Sequence, residues 1–482
     1  MLASVNNKLH NKYYTMNLKI RRLIFYALII IFLILAFFII PYSNGWRFDP
    51  GTLSFVKLGG LYLNVEPAEA SVQVSLLTSV LGAGVNKLNF EIKSSFMKSG
   101  LLIANLFPKT YHISVQKTGY QSWNKNITVK PSLVVQIYPI ILMPEKSNEE
   151  LLKNKVTDFF PNTNYLAWED TSNKLKIGGK IIKGNKFLTW LADYKSALVY
   201  DEIAKNYLII NPAQNNSALN ISLLFDNLKY QKNIDPRTYE LGEGVDDKNT
   251  IKNVIGHPLD KNKLVLATDK NLYILDFYKP SLEIINPDQY NLFTASGEEI
   301  FFTDSNSLYS YNLNKNENLV LSKQKNIDLL EASPNNQFVA FSSDNKLMLL
   351  DRTKSENGLT NLVENPTYFK FSPDNKKIAA VYDNNKIKIF FIGDDYELFN
   401  KKIMGSSSFE INSLDLNLPI AWHGNSSYIF VKSGTDLKFL EINDDSPINL
   451  QTIDTDVDKY FYNRQENTIY LIKNESLYKI IE

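Results

Sequence analysis

The sequence predicts a mainly β protein with one N-terminal transmembrane helix, a small β-sandwich, and then a seven- or eight-bladed β-propeller. Three observations predict this. Residues 23–40 read LIFYALIIIFLILAFFII, without a charge, a glycine or a proline. Short segments of strict apolar–polar alternation fill residues 60–143. Beyond residue 150 a unit of one turn and several short strands returns about every 40 residues.

The run at 23–40 comes first in the chain. Its 18 residues make a helix roughly 27 Å long at 1.5 Å per residue, which matches a bilayer's hydrocarbon core. Tyr26, Tyr42 and Trp46 lie at or near its ends, where amphipathic rings settle. Lys8, Lys12, Lys19, Arg21 and Arg22 precede it with no acidic residue among them. Basic flanks stay on the cytoplasmic side, so residues 1–22 are expected to form a cytoplasmic tail and the C-terminal bulk to lie outside. A cleaved signal peptide would have a shorter apolar region and a small-x-small exit. Here the exit reads Phe38-Ile39-Ile40-Pro41-Tyr42-Ser43. The expectation is a single-pass protein of the cell membrane, with the lipid bilayer as its partner through residues 23–40.

Bulk composition narrows the classes. A chain of 482 residues exceeds one hydrophobic core, so several domains are expected. With 44% hydrophobic and 21% charged residues it reads as globular throughout. Lys plus Arg is 52 and Asp plus Glu is 51, so the basic excess of a nucleic-acid binder is missing and no such partner is expected. The absence of cysteine excludes disulfides, thiolate nucleophiles and cysteine-based metal sites. The four histidines, His10, His112, His257 and His423, are far apart and fall in different modules. No cofactor is expected.

In residues 60–143, Leu61, Leu63 and Val65 alternate with Tyr62 and Asn64, and Val72 and Val74 alternate with Ser71, Gln73 and Ser75. Tyr111, Ile113 and Val115 alternate with His112 and Ser114. Period two means strands with one buried face, punctuated by turns at Pro67, Gly82, Gly84, Pro108, Gly119 and Pro131. The stretch from Leu63-Asn64-Val65-Glu66-Pro67 to Val74 resembles the PEGA domain family, as do Leu106-Phe107-Pro108-Lys109-Thr110-Tyr111 and Gly119-Tyr120-Gln121-Ser122-Trp123. The turn Pro108-Lys109-Thr110 and the long segment from Leu76 to Ser99 depart from the family pattern. That resemblance implies extracytoplasmic attachment or spacing. Gly119, Tyr120 and Trp123 read as a turn and two rings capping the sandwich end, with a carbohydrate-stacking platform as the sharper alternative.

The polar stretch at residues 144–150 reads as a linker, and residues 151–482 as the propeller. Ser333-Pro334-Asn335-Asn336 followed by Phe338-Val339-Ala340-Phe341 matches Ser372-Pro373-Asp374-Asn375 followed by Ile378-Ala379-Ala380-Val381. Weaker copies begin at Phe160-Pro161-Asn162, His257-Pro258, Ser296-Gly297, His423-Gly424 and Asn463-Arg464. The turns at Pro258, Gly297, Pro334 and Pro373 are 39, 37 and 39 residues apart, the period of a propeller blade. Proline fixes φ in such a turn and asparagine tolerates the left-handed conformation. The stretch from Phe371 to Ala379 resembles the WD40-like repeats of TolB-type proteins, with Asn375 where those carry glycine. Asn211 to Thr250 breaks the spacing and reads as a loop insertion or a degenerate blade.

Chemistry-bearing patterns are sparse. Asp454, Asp456 and Asp458 have calcium-loop spacing, but Lys459 and Gln465 stand where such a loop needs glycine and glutamate, so they read as solvent-facing residues. His423, within Trp422-His423-Gly424, and His257 hold turn slots. No nucleophile elbow, phosphate loop or His-Glu-x-x-His helix occurs. No catalytic, cofactor-binding or metal-ligating residue is assigned. The expected function is that of an anchored, non-enzymatic binding or scaffold protein of the cell envelope, its propeller recognising a protein, peptide or glycan. The alternatives are a propeller enzyme acting on envelope glycans and a purely structural spacer.

Overall fold

The computed structural model describes residues 17–49, 53–77, 87–91, 100–182, 184–214, 218–230, 251–285, 289–354, 358–393, 403–418 and 420–481. The chain is mainly β, as its alternation requires. The N-terminal helix runs from Leu18 to Ser43, a few residues beyond the apolar run at each end, and none of it is buried against protein. Asn17 accepts a hydrogen bond from the Lys19 N–H at its start.

A hairpin follows, pairing Trp46–Asp49 with Ser54–Lys57. Two sheets then pack face to face. One holds Gly59–Glu66 between Gly100–Leu106 and Val134–Ile141. The other has the order Lys87–Glu91, Ser71–Leu76, Thr110–Gln116, Trp123–Thr128. Leu61, Leu63 and Val65 meet Val72, Val74, Ile113 and Val115 in one core, the inward residues of the predicted alternation. Gly82 and Gly84 lie outside the described residues.

Eight four-stranded antiparallel sheets form the rest of the described chain. In chain order these blades occupy residues 156–181, 186–220, 253–284, 292–322, 327–364, 366–410, 421–454 and 459–481, and we number them 1 to 8. Within blades 1 to 7 the strands run in sequence order from first to fourth, and blade 8 takes three strands from the C-terminus and its fourth from an earlier segment. The first strands of blades 2 and 3, 4 and 5, and 5 and 6 touch one another, which puts first strands at the centre of the ring. Each junction between consecutive blades holds its own apolar cluster. For example, Phe301 and Leu308 of blade 4 pack with Val339 and Phe341 of blade 5. Blade 8 packs on blade 1 through Tyr470, Ile472, Val156 and Trp168, so the ring is closed.

Closure decides two points left open by the sequence. The blade count is eight. Blade 8 takes its outermost strand from Glu149–Asn154, which pairs with Ser476–Ile481. Glu149 and Glu150, read as linker, thus belong to the ring, as part of the outermost strand of blade 8. Lys473 reinforces this seam, bonding Glu149 at 2.5 Å and Asp454 of blade 7 at 3.1 Å.

The stretch that broke the repeat is also resolved in part. Ala218–Asn220 is the ordinary outer strand of blade 2, and a ten-residue helix, Ile221–Tyr230, follows it. Asn220 accepts from the Leu223 N–H at the helix start, and Ile221, Leu224 and Phe225 fill the gap between blades 2 and 3. No period in the sequence marks a helix after the N-terminal one. Residues 231–250 lie outside the described residues.

The sandwich rests on blade 7. Lys125, on the register of Trp123 and Ile127, is wholly buried and pairs with Glu441 at 3.0 Å. Its ammonium also donates to the Asn443 and Asp445 carbonyls at 3.0 Å each. Trp123 Nε1 and Asn449 Nδ2 donate to the same Glu441 carboxylate, at 3.1 and 2.7 Å. The ring of Trp123 is 1% exposed, so it seals this joint and presents no stacking platform. A buried pair broken on one side leaves an uncompensated charge. Lys125→Met is therefore expected to lower unfolding stability by about 3–5 kcal/mol. Urea titration of the full chain should show it, along with separate transitions for sandwich and propeller where the native protein has one.

Candidate binding face at the mouth of the ring

The turns joining first and second strands share one face of the ring. In blade 6, Ser372 Oγ accepts from the Lys377 N–H at 2.9 Å and donates to Asp374 Oδ1 at 2.5 Å. Ser333 and Asn335 repeat this in blade 5. Asn336 and Asn375 both have positive φ, 58° and 61°, as the turn reading requires. The turns also tie to one another across blades. Asn336 Nδ2 donates to the Ser296 carbonyl, the Asn335 N–H to Asn375 Oδ1, and the Asp374 N–H to Ser426 Oγ. The Gly424 N–H donates to the Tyr462 hydroxyl in the same way.

Inside this collar the central opening forms a cavity of about 500 Å³. Blades 1, 2, 6, 7 and 8 line it. Trp190, Tyr194, Tyr368, Trp422 and Phe461 supply rings, and Lys370 and Arg464 supply charge. No carboxylate is among its lining residues. Trp190 and Trp422 are held by indole N–H bonds to the Phe160 and Lys370 carbonyls, at 3.1 and 3.0 Å. Tyr194 and Phe461, by contrast, are 43% and 45% exposed. Lys370 pairs with Glu331 of blade 5 at 2.7 Å. Burial pushes the Glu331 carboxyl up, and Lys370 only partly offsets that. Burial likewise raises the Tyr368 and Tyr460 hydroxyls.

A larger hollow of about 1100 Å³ lies between blades 4 and 5. Its one arginine is engaged, since Arg352 grips the Glu299 carboxylate with both terminal nitrogens and bonds the Asn336 carbonyl at 2.8 Å. The mouth is therefore the better candidate.

The residues singled out in the sequence fall elsewhere. Asp454 is held by Lys473, and Asp458 accepts from the Asn474 N–H. They do not converge, and no group of three potential ligands is placed to hold a metal ion among the described residues. His257 Nδ1 accepts from the Leu259 and Asp260 N–H groups, and burial lowers its pKa. His423 Nδ1 accepts from the Asn425 N–H. Both are turn residues, as read. His112 bonds Asn126 across two sandwich strands at 2.8 Å, and His10 lies outside the described residues. Sequence reasoning missed the mouth itself. Its residues come from five blades and share no spacing. The one legible sign was an aromatic or basic residue in the first strand or its turn in several repeats.

No family model matches the chain, and no curated protein does. Solved structures of WD40 propellers are similar to it. The C-terminal WD40 domain of Sif2 has 10% identity and a TM-score of 0.44, over 70% of this chain and 99% of that one. Hsv2 of Kluyveromyces lactis has 13% identity and a TM-score of 0.40, over 67% and 99%. A chain of the mitotic checkpoint complex has 12% identity and a TM-score of 0.38, over 62% and 91%. The ring described above rests on its own strand pairing, and no ligand or partner carries over at these scores.

The turn of blade 6 gives a pH prediction. Burial of Asp374 is outweighed by Lys377, Ser372 and the Lys376 N–H, so its pKa lies below the usual carboxylate value. A lowered folded-state pKa stabilises above the unfolded value, and that stability is lost as pH falls through the folded one. Asp374→Asn, which leaves the 4%-exposed Lys377 side chain without its counter-ion, should lose about 2 kcal/mol at pH 7. Thermal unfolding between pH 7 and pH 3 should show a flatter acid decline in the variant than in the native chain.

Proposed function

We propose that the protein is a membrane-anchored, extracytoplasmic binding protein of the cell envelope. Residues 23–40 span the bilayer, residues 60–143 serve as a PEGA-like stalk, and the propeller is the recognition head. The mouth takes an acidic peptide segment of an envelope protein. The observation that carries this reading is the lining, which combines exposed rings with the Arg464 guanidinium and, among the described residues, no carboxylate of its own, Lys370 being paired with Glu331 just outside it. Rings supply contact area at little conformational cost, and cations select charge.

The two rivals fare less well on the same residues. Glycoside hydrolysis needs a pair of carboxylates facing the sugar, and the lining holds none. A passive spacer gives no reason for Tyr194 and Phe461 to stand exposed at the mouth.

The test is fluorescence anisotropy of the full chain in nanodiscs against labelled acidic peptides, matched neutral peptides and anionic oligosaccharides. Acidic peptides should bind, more weakly with rising salt. Arg464→Glu and Phe461→Ala should each weaken binding about tenfold or more, some 1.4 kcal/mol. Binding of oligosaccharides alone would replace the peptide with a glycan. No binding of any of the three would leave the spacer.

A further inference from the structure

The membrane reading assigns lipid contact to the helix alone, yet the hairpin after it carries the same chemistry. Phe48 and Phe55 face each other across its two strands, ring centroids 5.6 Å apart. Phe55 also packs on Phe37 and Phe38 of the helix, at 6.0 and 6.4 Å. Those two residues lie five or six positions before Ser43, roughly 8 Å back along the helix at 1.5 Å per residue. The hairpin thus folds back beside the end of the apolar run instead of leading away from it.

Its two cations collect at the helix exit, while Asp49, beside Phe48, is buried against Lys109 of the sandwich. The Arg47 guanidinium lies 3.6 Å over the Tyr42 ring and donates to the Tyr42 and Trp46 carbonyls at 2.8 Å each. Lys57 Nζ lies 5.6 Å from the Trp46 ring. Cations and amphipathic rings at the helix exit, with phenylalanines below them, reproduce the layering of a bilayer interface.

The hairpin is also fixed to the sandwich. Asp49, near its tip, is 5% exposed and pairs with Lys109 at 3.1 Å. The Ser132 N–H donates to the Leu58 carbonyl at 3.0 Å and the Gly60 N–H to the Leu133 carbonyl at 2.9 Å. Large apolar side chains are exposed on both: Leu53 of the hairpin is 78% exposed, and Leu133 and Val134 at the sandwich base are 56% and 50% exposed.

We infer that the hairpin and the sandwich base form a second lipid contact, seated in the interfacial layer of the bilayer that the helix crosses. The occupant of this surface is the lipid headgroup–acyl boundary. Its continuity with the apolar helix and the basic rim of Arg47 and Lys57, suited to phosphate headgroups, argue for it. Two contacts fix an orientation where a lone helix would leave a tether. The sandwich, and through Lys125–Glu441 the ring, would then stand at a set angle to the membrane. This inference rests on the anchoring reading above.

The chain has no cysteine, so single-cysteine variants can be spin-labelled cleanly. The full chain is reconstituted in phosphatidylcholine–phosphatidylglycerol vesicles with labels at Leu53→Cys, Leu133→Cys, Ile30→Cys in mid-helix, and Ile203→Cys, an exposed site on blade 2. Collision rates with oxygen and with a water-soluble nickel complex are compared. Labels at 53 and 133 should favour oxygen several-fold over the label at 203, at a depth shallower than the label at 30. Labels at 53 and 133 that match the label at 203, with the label at 30 in lipid, overturn this inference and leave the anchor standing. A label at 30 in water overturns the anchor and this inference together. Quenching of the unmodified protein by interfacially brominated lipid, lost in Trp46→Phe, is the expected outcome of a second measurement. Quenching unchanged in Trp46→Phe would count against the hairpin's seat.

Discussion

Everything beyond the sandwich depends on one strand pairing, that of Glu149–Asn154 with Ser476–Ile481. A propeller blade has apolar faces on both sides, so an unclosed ring would expose two of them. Here the closing strand comes from the N-terminal side of the ring, only a few residues after Val134–Ile141, the last strand of the sandwich. Closing the ring therefore also places the sandwich. The connecting segment is too short to let it go anywhere but against blades 7 and 8, and Ile141 and Met143 end inside the core those blades share.

That placement explains the unusual burial of Lys125. A lysine with no exposed surface requires both a counter-charge and partners for its protons. Glu441 and two carbonyls of the loop after it provide them. The polar contacts around this pair, from Trp123, Asn449 and Gln451, make the joint directional. An apolar joint of the same area would permit sliding. Directionality matters because the loop at 442–449 and the mouth-side turns lie on the same face of the ring. The sandwich and the candidate mouth thus have a fixed relation to each other.

The mouth shows how a repeat produces a site that is not itself repeated. The turns of blades 5 and 6 are equivalent in geometry, with Ser333 and Ser372 making the same pair of bonds. The residues facing the opening are free of that constraint. Trp190, Tyr368, Trp422 and Phe461 occupy first strands whose neighbours differ in every blade. Packing dictates the second strands, whose middle residues are buried and mostly apolar, as in Phe338–Ser343 and Lys377–Tyr382. The first strands are left to carry specificity.

By itself the sequence determined the N-terminal helix, the sandwich strands and most of the blades in their order, because each of these has a local period. Eighteen uncharged residues define a helix of membrane length, period two defines the sandwich strands, and a 39-residue spacing defines the blades. It also determined the turns, since proline and left-handed asparagine act through their own backbone. Blade 2 escaped notice because its turn at 191–196 carries Asp193 and Tyr194 in place of the Ser-Pro pair. Only the tertiary structure decided the blade count, the role of Glu149 and Glu150, the burial of Lys125 and the composition of the mouth. Each of these depends on contacts between residues from dozens to more than three hundred positions apart. No local period encodes which side chains meet when a ring closes.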